Sequence, residues 1–214
     1  MLKQFWNLLF PQKCAVCGGA ADRSLLCQNC ARLHPYHEHS QLALGYKYLG
    51  LFEYDETARK ILAQIKYQKN RELIPFIQKS LLQHAPKITA DLLIPAPLNP
   101  LRRQERGFNQ VEEFFRTYAA YYHIPLRADI VYRGRHTQKL AALSPAERVK
   151  ETADIFQVWE NKTIELKNKK ILLADDIITT GNTLRKLAET IAQYAPAGIE
   201  IISVFRPVGR ANML

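Results

Sequence analysis

The sequence predicts an α/β fold in which helices flank a mostly parallel β-sheet, with a small metal-binding module at the N-terminus. Two observations lead to it. All four cysteines lie in the first 30 residues, whereas the rest of the chain alternates short apolar strands with amphipathic helical segments. The 214 residues are 47% hydrophobic and 23% charged, which is enough apolar material for a folded core and excludes a disordered chain.

The cysteines form two C-x-x-C pairs within residues 1–42, the segment expected to form the metal-binding module. Each pair can present two thiolates on a tight turn, and four thiolates complete the tetrahedral shell of a structural, zinc-ribbon-like Zn²⁺ site. Two redox dithiols or two accidental pairs are the alternatives, although no strand–helix pattern with one reactive thiol accompanies the cysteines. The predicted ligands are Cys14, Cys17, Cys27 and Cys30.

Residues 43–214 are expected to form the second domain, which starts with the sequence GYKYLGLFEY at 45–54. Its alternating aromatic and aliphatic residues predict a half-buried strand or hairpin. Asp55 is placed to cap a helix, and a second helix is expected at about 72–84. The apolar positions of the first helix are Ala58, Ile61, Leu62 and Ile65.

Strands and helices then alternate along the chain, a pattern that favours a parallel sheet covered on both faces. The segment LNPLRRQERGFNQ at 98–110 follows a strand and is either a diphosphate-binding segment or a solvated basic loop, with Gly107 at a turn and Asn109 capping the next helix. The predicted strands are 91–97, 129–133, 169–176 and 199–205, with helices at about 109–123 and starting at SPAER, 144–148.

The string ILLADDIITTGNT at 171–183 places Asp175 and Asp176 at the carboxyl end of a buried strand, where ligands bind in open α/β sheets. The carboxylates suit the two hydroxyls of a ribose and help to hold a hydrated Mg²⁺. A structural alternative is that the two acids only cap the following turn. The turn opens a helix and predicts a cradle for a phosphomonoester, formed by Thr179, Thr180, Gly181, Asn182 and Thr183.

The formal net charge of +10 indicates an anionic partner: a nucleic acid, a membrane surface or a phosphorylated small molecule. Three arginines of the basic segment could clamp a diphosphate, namely Arg102, Arg103 and Arg106. Further basic residues with nearby aromatic rings could follow single-stranded DNA, although a merely soluble basic surface is the alternative. These DNA-binding candidates are Lys66, Lys69, Arg71, Arg133, Arg135 and Lys139.

The sequence contains no run of about 18 apolar residues, so no transmembrane helix is expected. The stretch MLKQFWNLLF reaches Pro11 without a small-residue cleavage site, so no signal peptide is expected either. We therefore expect a cytoplasmic protein whose thiols are reduced or bound to metal.

Several motifs follow one another in a characteristic order: the paired C-x-x-C motifs, IPAPLNPLRRQERGFNQ at 94–110, TQKLAALSPAER at 137–148 and ADDIITTGNT at 174–183. The last resembles the phosphoribosyl-pyrophosphate-binding motif of type I phosphoribosyltransferases. The whole chain resembles the ComF/ComFC competence-protein family in particular. The resemblance implies a type I phosphoribosyltransferase fold behind the zinc module, with the segment around the three arginines in the place of the pyrophosphate loop.

This resemblance also implies a ligand, 5-phosphoribosyl 1-diphosphate with Mg²⁺, and a flexible loop at 133–152 that closes over it. The implied reaction is pentosyl transfer to an unidentified nitrogen nucleophile, and whether this activity is retained stays open. The implied cellular role is the handling of incoming single-stranded DNA in natural transformation, with a DNA-translocating competence helicase as a partner. An active phosphoribosyltransferase of nucleotide metabolism without a DNA role is the alternative.

Overall fold

A computed structural model describes residues 13–21, 25–41, 45–134 and 156–207 of the chain. The strands are β1 (Pro35–Gln41), β2 (Lys47–Glu53), β3 (Leu92–Pro95), β4 (Val131–Arg133), β5 (Phe156–Val158), β6 (Lys170–Ile177) and β7 (Gly198–Arg206). The α-helices are α1 (Glu56–Tyr67), α2 (Ile74–His84), α3 (Pro100–Arg106), α4 (Gln110–Tyr121) and α5 (Asn182–Ala192). Short 3₁₀ helices lie at Arg71–Leu73 and Glu160–Glu165.

Five strands form the main sheet in the order β1-β2-β7-β6-β3. Strands β2, β7, β6 and β3 run parallel, and only the edge strand β1 pairs antiparallel with its neighbour. Parallel strands place all their carboxyl ends at one edge of the sheet and all their amino ends at the other. The mostly parallel sheet that the sequence predicts is therefore confirmed.

Helices cover both faces of this sheet, because successive residues of each buried strand point to opposite sides. On β6, Leu172 packs with the cluster that contains the buried stripes of α1, α2 and α4, whereas Leu173 packs with α5, β4 and β5. The stripe of α1 consists of the four apolar residues expected from the sequence, and Asp55 caps this helix by accepting a hydrogen bond from the Ala58 N–H at 2.7 Å. Among the described residues, no helix is long and apolar enough to cross a bilayer.

The cysteine-rich segment packs against the domain that follows it. Cys14, Leu26 and Cys30 belong to the same buried cluster as α1, α2 and α4. Strand β1 comes before the expected domain boundary at residue 42 and pairs with β2, which lies after it. The boundary itself stays a prediction, but the two segments share one core and one sheet.

Two expectations for individual elements need correction. The strand expected at 129–133 is shorter, and as β4 it pairs with β5 in a separate antiparallel sheet. The interpretation as a solvated basic loop is wrong, because residues 100–106 form helix α3. The signal was in the sequence: Asn99 caps the helix, Pro100 starts it, and Gly107 ends it with a left-handed φ of 83°. The helix expected from 144 lies outside the described residues.

Asn109 joins the end of β3 to the start of α4. Its buried side chain accepts a hydrogen bond from the Val111 N–H at 3.0 Å and donates one to the carbonyl oxygen of Ala96, also at 3.0 Å. Because β3 and α4 both border the carboxyl edge of the sheet, this residue fixes the position of that edge.

We expect Asn109→Ala to lower the free energy of unfolding by about 2–3 kcal/mol, because it removes a helix cap and leaves a buried carbonyl without its donor. The matched control is Asn99→Ala, which removes a similar cap in an exposed position and is expected to cost about 1 kcal/mol. Urea unfolding measures both. Equal losses for the two variants would contradict the role assigned to Asn109.

Candidate functional site

The two aspartates lie near the carboxyl end of β6, in the middle of the edge formed by the parallel strands. Asp176 is buried, with an exposed fraction of 4%. Its Oδ2 lies 2.8 Å from the Lys66 Nζ and also accepts a hydrogen bond from the Gln110 amide. Asp175 is only partly buried, and its Oδ1 accepts a hydrogen bond from the Asp176 N–H at 2.8 Å. The two neighbouring carboxylates therefore have different surroundings.

Arg106 contacts both partners of Asp176, Lys66 and Gln110. This buried guanidinium donates from Nε to the Lys66 carbonyl oxygen at 3.0 Å and from Nη1 to the Gln110 side-chain oxygen. Burial lowers the pKa of Arg106, and the charge of Asp176 acts in the opposite direction. Residues from α1, α3, α4 and β6 thus form one buried polar network around a single carboxylate, which we call the Asp176 network.

The negative charge of Asp175 is unfavourable in its surroundings. Burial, followed by the charge of Asp176, raises the pKa of the Asp175 carboxyl above its ordinary value. The hydrogen bond from the Asp176 N–H and the charges of Lys66 and Arg133 act against this rise. A carboxylate that is short of compensating partners is suited to receive a cation or hydroxyl donors from a ligand.

Arg133, from the small β4–β5 sheet, is the basic residue that approaches Asp175 from the other side. Burial lowers the pKa of Arg133, and Asp175 opposes that change. Its guanidinium lies over the Phe156 ring, with Cζ 5.6 Å from the ring centre. The second sheet therefore brings a fixed positive charge to the acid pair.

Residues 179–183 leave the sheet edge and lead into α5. Gly181 adopts a left-handed φ of 73° at the N-cap position, a conformation that favours glycine, and its carbonyl oxygen accepts the Arg185 N–H. Thr179, Thr180, Asn182 and Thr183 are exposed. The free N–H groups and positive dipole end of α5 thus lie next to the acid pair, and such a helix end attracts anions.

The basic residues singled out from the sequence lie in different places. Of the diphosphate candidates, Arg102 and Arg103 are exposed on α3, and Arg106 is buried in the Asp176 network.

The DNA-binding candidates are also dispersed. Lys66 belongs to the Asp176 network. Arg71 pairs with Glu113 at 3.1 Å and lies over the Phe108 ring, whereas Lys69 is exposed. Arg135 and Lys139 lie outside the described residues.

Sequence reasoning missed Gln110, and it missed the contact between Lys66 and Asp176. Gln110 is the first residue of α4 and is 3% exposed, which is unusual for a polar side chain. Its position directly after the Asn109 cap, at the start of an apolar helix, was the available signal.

The four cysteines form a compact cluster in which all the sulfur atoms lie within 4.8 Å of one another. Backbone hydrogen bonds shape the first turn: the Gly18 N–H donates to the Cys14 carbonyl at 2.9 Å, and Gly18 has a φ of 73°. Burial acts to raise the pKa of Cys14, but hydrogen bonds from the Cys27 and Cys17 backbone outweigh it and lower the pKa. Four converging thiols, one of them readily ionised, are suited to hold one metal ion.

Comparison with known proteins agrees with this geometry. The model of the phosphoribosyl transferase domain family matches residues 115–212, which include the acid pair and the threonine-rich turn. Competence protein F of Haemophilus influenzae is 26% identical over 92% of this chain and 83% of its own length. Competence protein ComFC of Bacillus subtilis is 23% identical over 86% of this chain and 73% of its own. The chain thus resembles the ComF/ComFC competence proteins over most of its length, and part of it matches the phosphoribosyl transferase domain family.

Another relative is the DNA utilization protein YhgH of Escherichia coli, 22% identical over 88% of this chain and 81% of its own length. Among solved structures, the allosteric regulatory enzyme of purine biosynthesis is similar over 59% of this chain and 24% of its own, with a TM-score of 0.41 and 16% identity. The expected fold, a phosphoribosyltransferase domain with a mostly parallel sheet flanked by helices, is confirmed.

The two aspartates are expected to respond to neutralisation in opposite ways. Asp175→Asn keeps the hydrogen bond to the Asp176 N–H and removes a strained charge, so at pH 7 it should raise the free energy of unfolding by about 1 kcal/mol. Asp176→Asn deprives the half-buried Lys66 of its anionic partner and should lower it by about 2 kcal/mol.

The gain from Asp175→Asn should depend on pH. A raised pKa in the folded state means that the wild-type protein is not penalised while Asp175 is protonated, below the ordinary pKa of 3.8, and loses stability as the pH rises through the folded-state pKa. The difference between the two proteins should therefore shrink as the pH falls toward 4. Urea unfolding across this range measures it, and a gain that grows on acidification would contradict the assignment.

Proposed function

We propose that this protein handles incoming single-stranded DNA in the cytoplasm during natural transformation, on a phosphoribosyltransferase domain that binds 5-phosphoribosyl 1-diphosphate with Mg²⁺. The observation that carries the ligand is the juxtaposition of a strained carboxylate, Asp175, with the exposed turn at the N-terminus of α5. The names of the relatives, two competence proteins and a DNA utilization protein, support the cellular role. A DNA-translocating competence helicase is the partner that this role implies.

Different residues of the site would bind different groups of this ligand. The N–H groups and hydroxyls of residues 179–183 receive the 5-phosphate, because a helix N-terminus stabilises an anion. Asp175 accepts hydrogen bonds from the ribose hydroxyls, and Asp176 holds the position of Lys66 and Gln110 beside it. Arg102 and Arg103, exposed on the helix that follows β3, attract the diphosphate. Mg²⁺, bound together with the diphosphate, would neutralise its charge.

The second candidate is an active phosphoribosyltransferase of nucleotide metabolism without a DNA role. It is favoured by the electrostatic interaction between Arg133 and Asp175, because opposite charges near the sheet edge could stabilise the charge that separates when a diphosphate departs. The acceptor would be a nitrogen nucleophile. The two candidates differ in one property, the binding of single-stranded DNA.

Titration with phosphoribosyl diphosphate and Mg²⁺ tests the ligand. We expect wild-type protein to gain about 2.7 kcal/mol of stability at a ligand concentration one hundred times the Kd. Asp175→Asn should remain folded but lose at least about tenfold in affinity, because one good charged acceptor is worth more than 1.4 kcal/mol.

Glu189→Gln is the matched control, since it removes one negative charge from the exposed side of α5, where Glu189 pairs with Arg185. It should bind the ligand as the wild-type protein does. Absence of any ligand-induced shift in the wild-type melting temperature would refute the ligand assignment.

We further propose that the cysteine cluster holds one structural Zn²⁺. Metal analysis of the purified protein should give one zinc per chain, and thiol reagents should find no reactive cysteine. Cys30→Ser should lose the metal and lower the melting temperature, because Cys30 packs in the core shared with α1, α2 and α4. Wild-type protein without zinc and with four reactive thiols would rule out the site.

A further inference from the structure

Many of the basic side chains are already paired with carboxylates of the protein itself. Among the described residues, ion pairs with carboxylates engage Arg59, Lys60, Lys66, Arg71, Arg102, Arg116, Arg127, Lys162 and Arg185. Lys47, Lys87 and Lys170 are exposed and form no ion pair with any described residue. These three lysines are available to an external anion.

The three lysines line one cavity of about 960 Å³. Its wall is formed by the starts of β2, β6 and β7 and by residues 86–90, which lead into β3. It therefore lies at the amino edge of the sheet, whereas the acid pair lies at the carboxyl edge. Strand β6 runs from Lys170 to Ile177, so the length of this strand, about 20 Å, separates the two sites.

The cavity is open in the middle and basic at its sides. Gly198 starts β7 opposite Lys170 on β6, and a Cβ at this position would have nothing within 4 Å. Lys47 on β2 lies opposite Glu200, two residues further along β7. The two lysines lie on strands two places apart, about 10 Å across the sheet, and are offset by about 7 Å along it. Glu200 is the one acidic residue among the lining residues, and the remaining wall is largely apolar.

We propose that this cavity, which we call the amino-edge cavity, binds the sugar-phosphate backbone of single-stranded DNA. This inference rests on the proposed function and locates its DNA surface. The described residues of the lining include no arginine that could bind one phosphate with two hydrogen bonds and no helix N-terminus, both of which are typical of phosphomonoester sites. Lysines act as point charges that attract successive phosphates without reading the sequence, and apolar walls can contact the bases.

The position of the cavity has a consequence for the ligand site. DNA at the amino edge would leave Asp175 and the turn at 179–183 free, so both ligands could bind together. DNA held instead by Lys69, Arg102 or Arg103 at the carboxyl edge would compete with the phosphorylated ribose. Competition therefore separates the two locations.

The test is fluorescence anisotropy with a labelled 20-nucleotide oligothymidylate over a range of salt concentrations. Lys47→Gln/Lys170→Gln should weaken binding about tenfold and reduce the slope of log affinity against log salt by about 1.4, since each contact with a single strand contributes about 0.7. Gly198→Glu should weaken binding at least as much, because it places a carboxylate in open space without a steric clash. Melting temperatures should stay close to that of the wild-type protein.

The matched control is Lys69→Gln/Lys79→Gln, which removes two charges from exposed lysines outside the cavity and should bind within about twofold of wild type. Loss of affinity in this variant but not in the cavity variants, or competition by phosphoribosyl diphosphate, would overturn the amino-edge location and leave the proposed function standing. Wild-type protein that does not bind the oligonucleotide would overturn both.

Discussion

The buried ion pair between Lys66 and Asp176 is the interaction on which the carboxyl edge of the sheet depends. It joins α1 to β6, and Gln110 and Arg106 extend it to α4 and α3. A charged pair with little access to water is stable only when its remaining hydrogen-bonding groups are satisfied, and this network satisfies them. Four elements, contributed by residues 56–67, 100–121 and 170–177, are thereby held in one arrangement.

This arrangement separates the roles of two adjacent carboxylates. The alternation of side chains along β6 turns Asp176 toward α1 and α4 and leaves Asp175 facing the β4–β5 sheet, where Arg133 is the nearby cation. The Asp176 carboxylate is bound by Lys66 and Gln110, whereas the Asp175 carboxylate can still accept hydrogen bonds from a ligand. The two aspartates form a single motif in the sequence, but only Asp176 is enclosed by the polar network, and Asp175 is the residue for which we propose a ligand.

Local signals in the sequence were sufficient for much of the fold. Asp55 and the apolar stripe after it predicted α1, and the apolar run before Asp175 predicted a central strand and the edge at which we propose ligand binding. The ends of helix α3 were also marked in the sequence, by the cap Asn99 and by Gly107, but this segment was interpreted as a loop. The roles of Lys66 and Gln110 could not be predicted, because they depend on which helix ends meet at the sheet edge. The amino-edge cavity likewise requires the strand order.

The strand order also has a consequence for how the chain folds. Of the strands in the described part of the chain, β7 comes last in the sequence, but it lies between β2 and β6 and links them. The hairpin of β1 and β2, made early in synthesis together with the cysteine cluster, has no place in the sheet until the C-terminal strand has emerged from the ribosome. Such long-range pairing slows folding and leaves strand edges exposed in the meantime. A metal ion bound early would keep the N-terminal segment ordered while it waits.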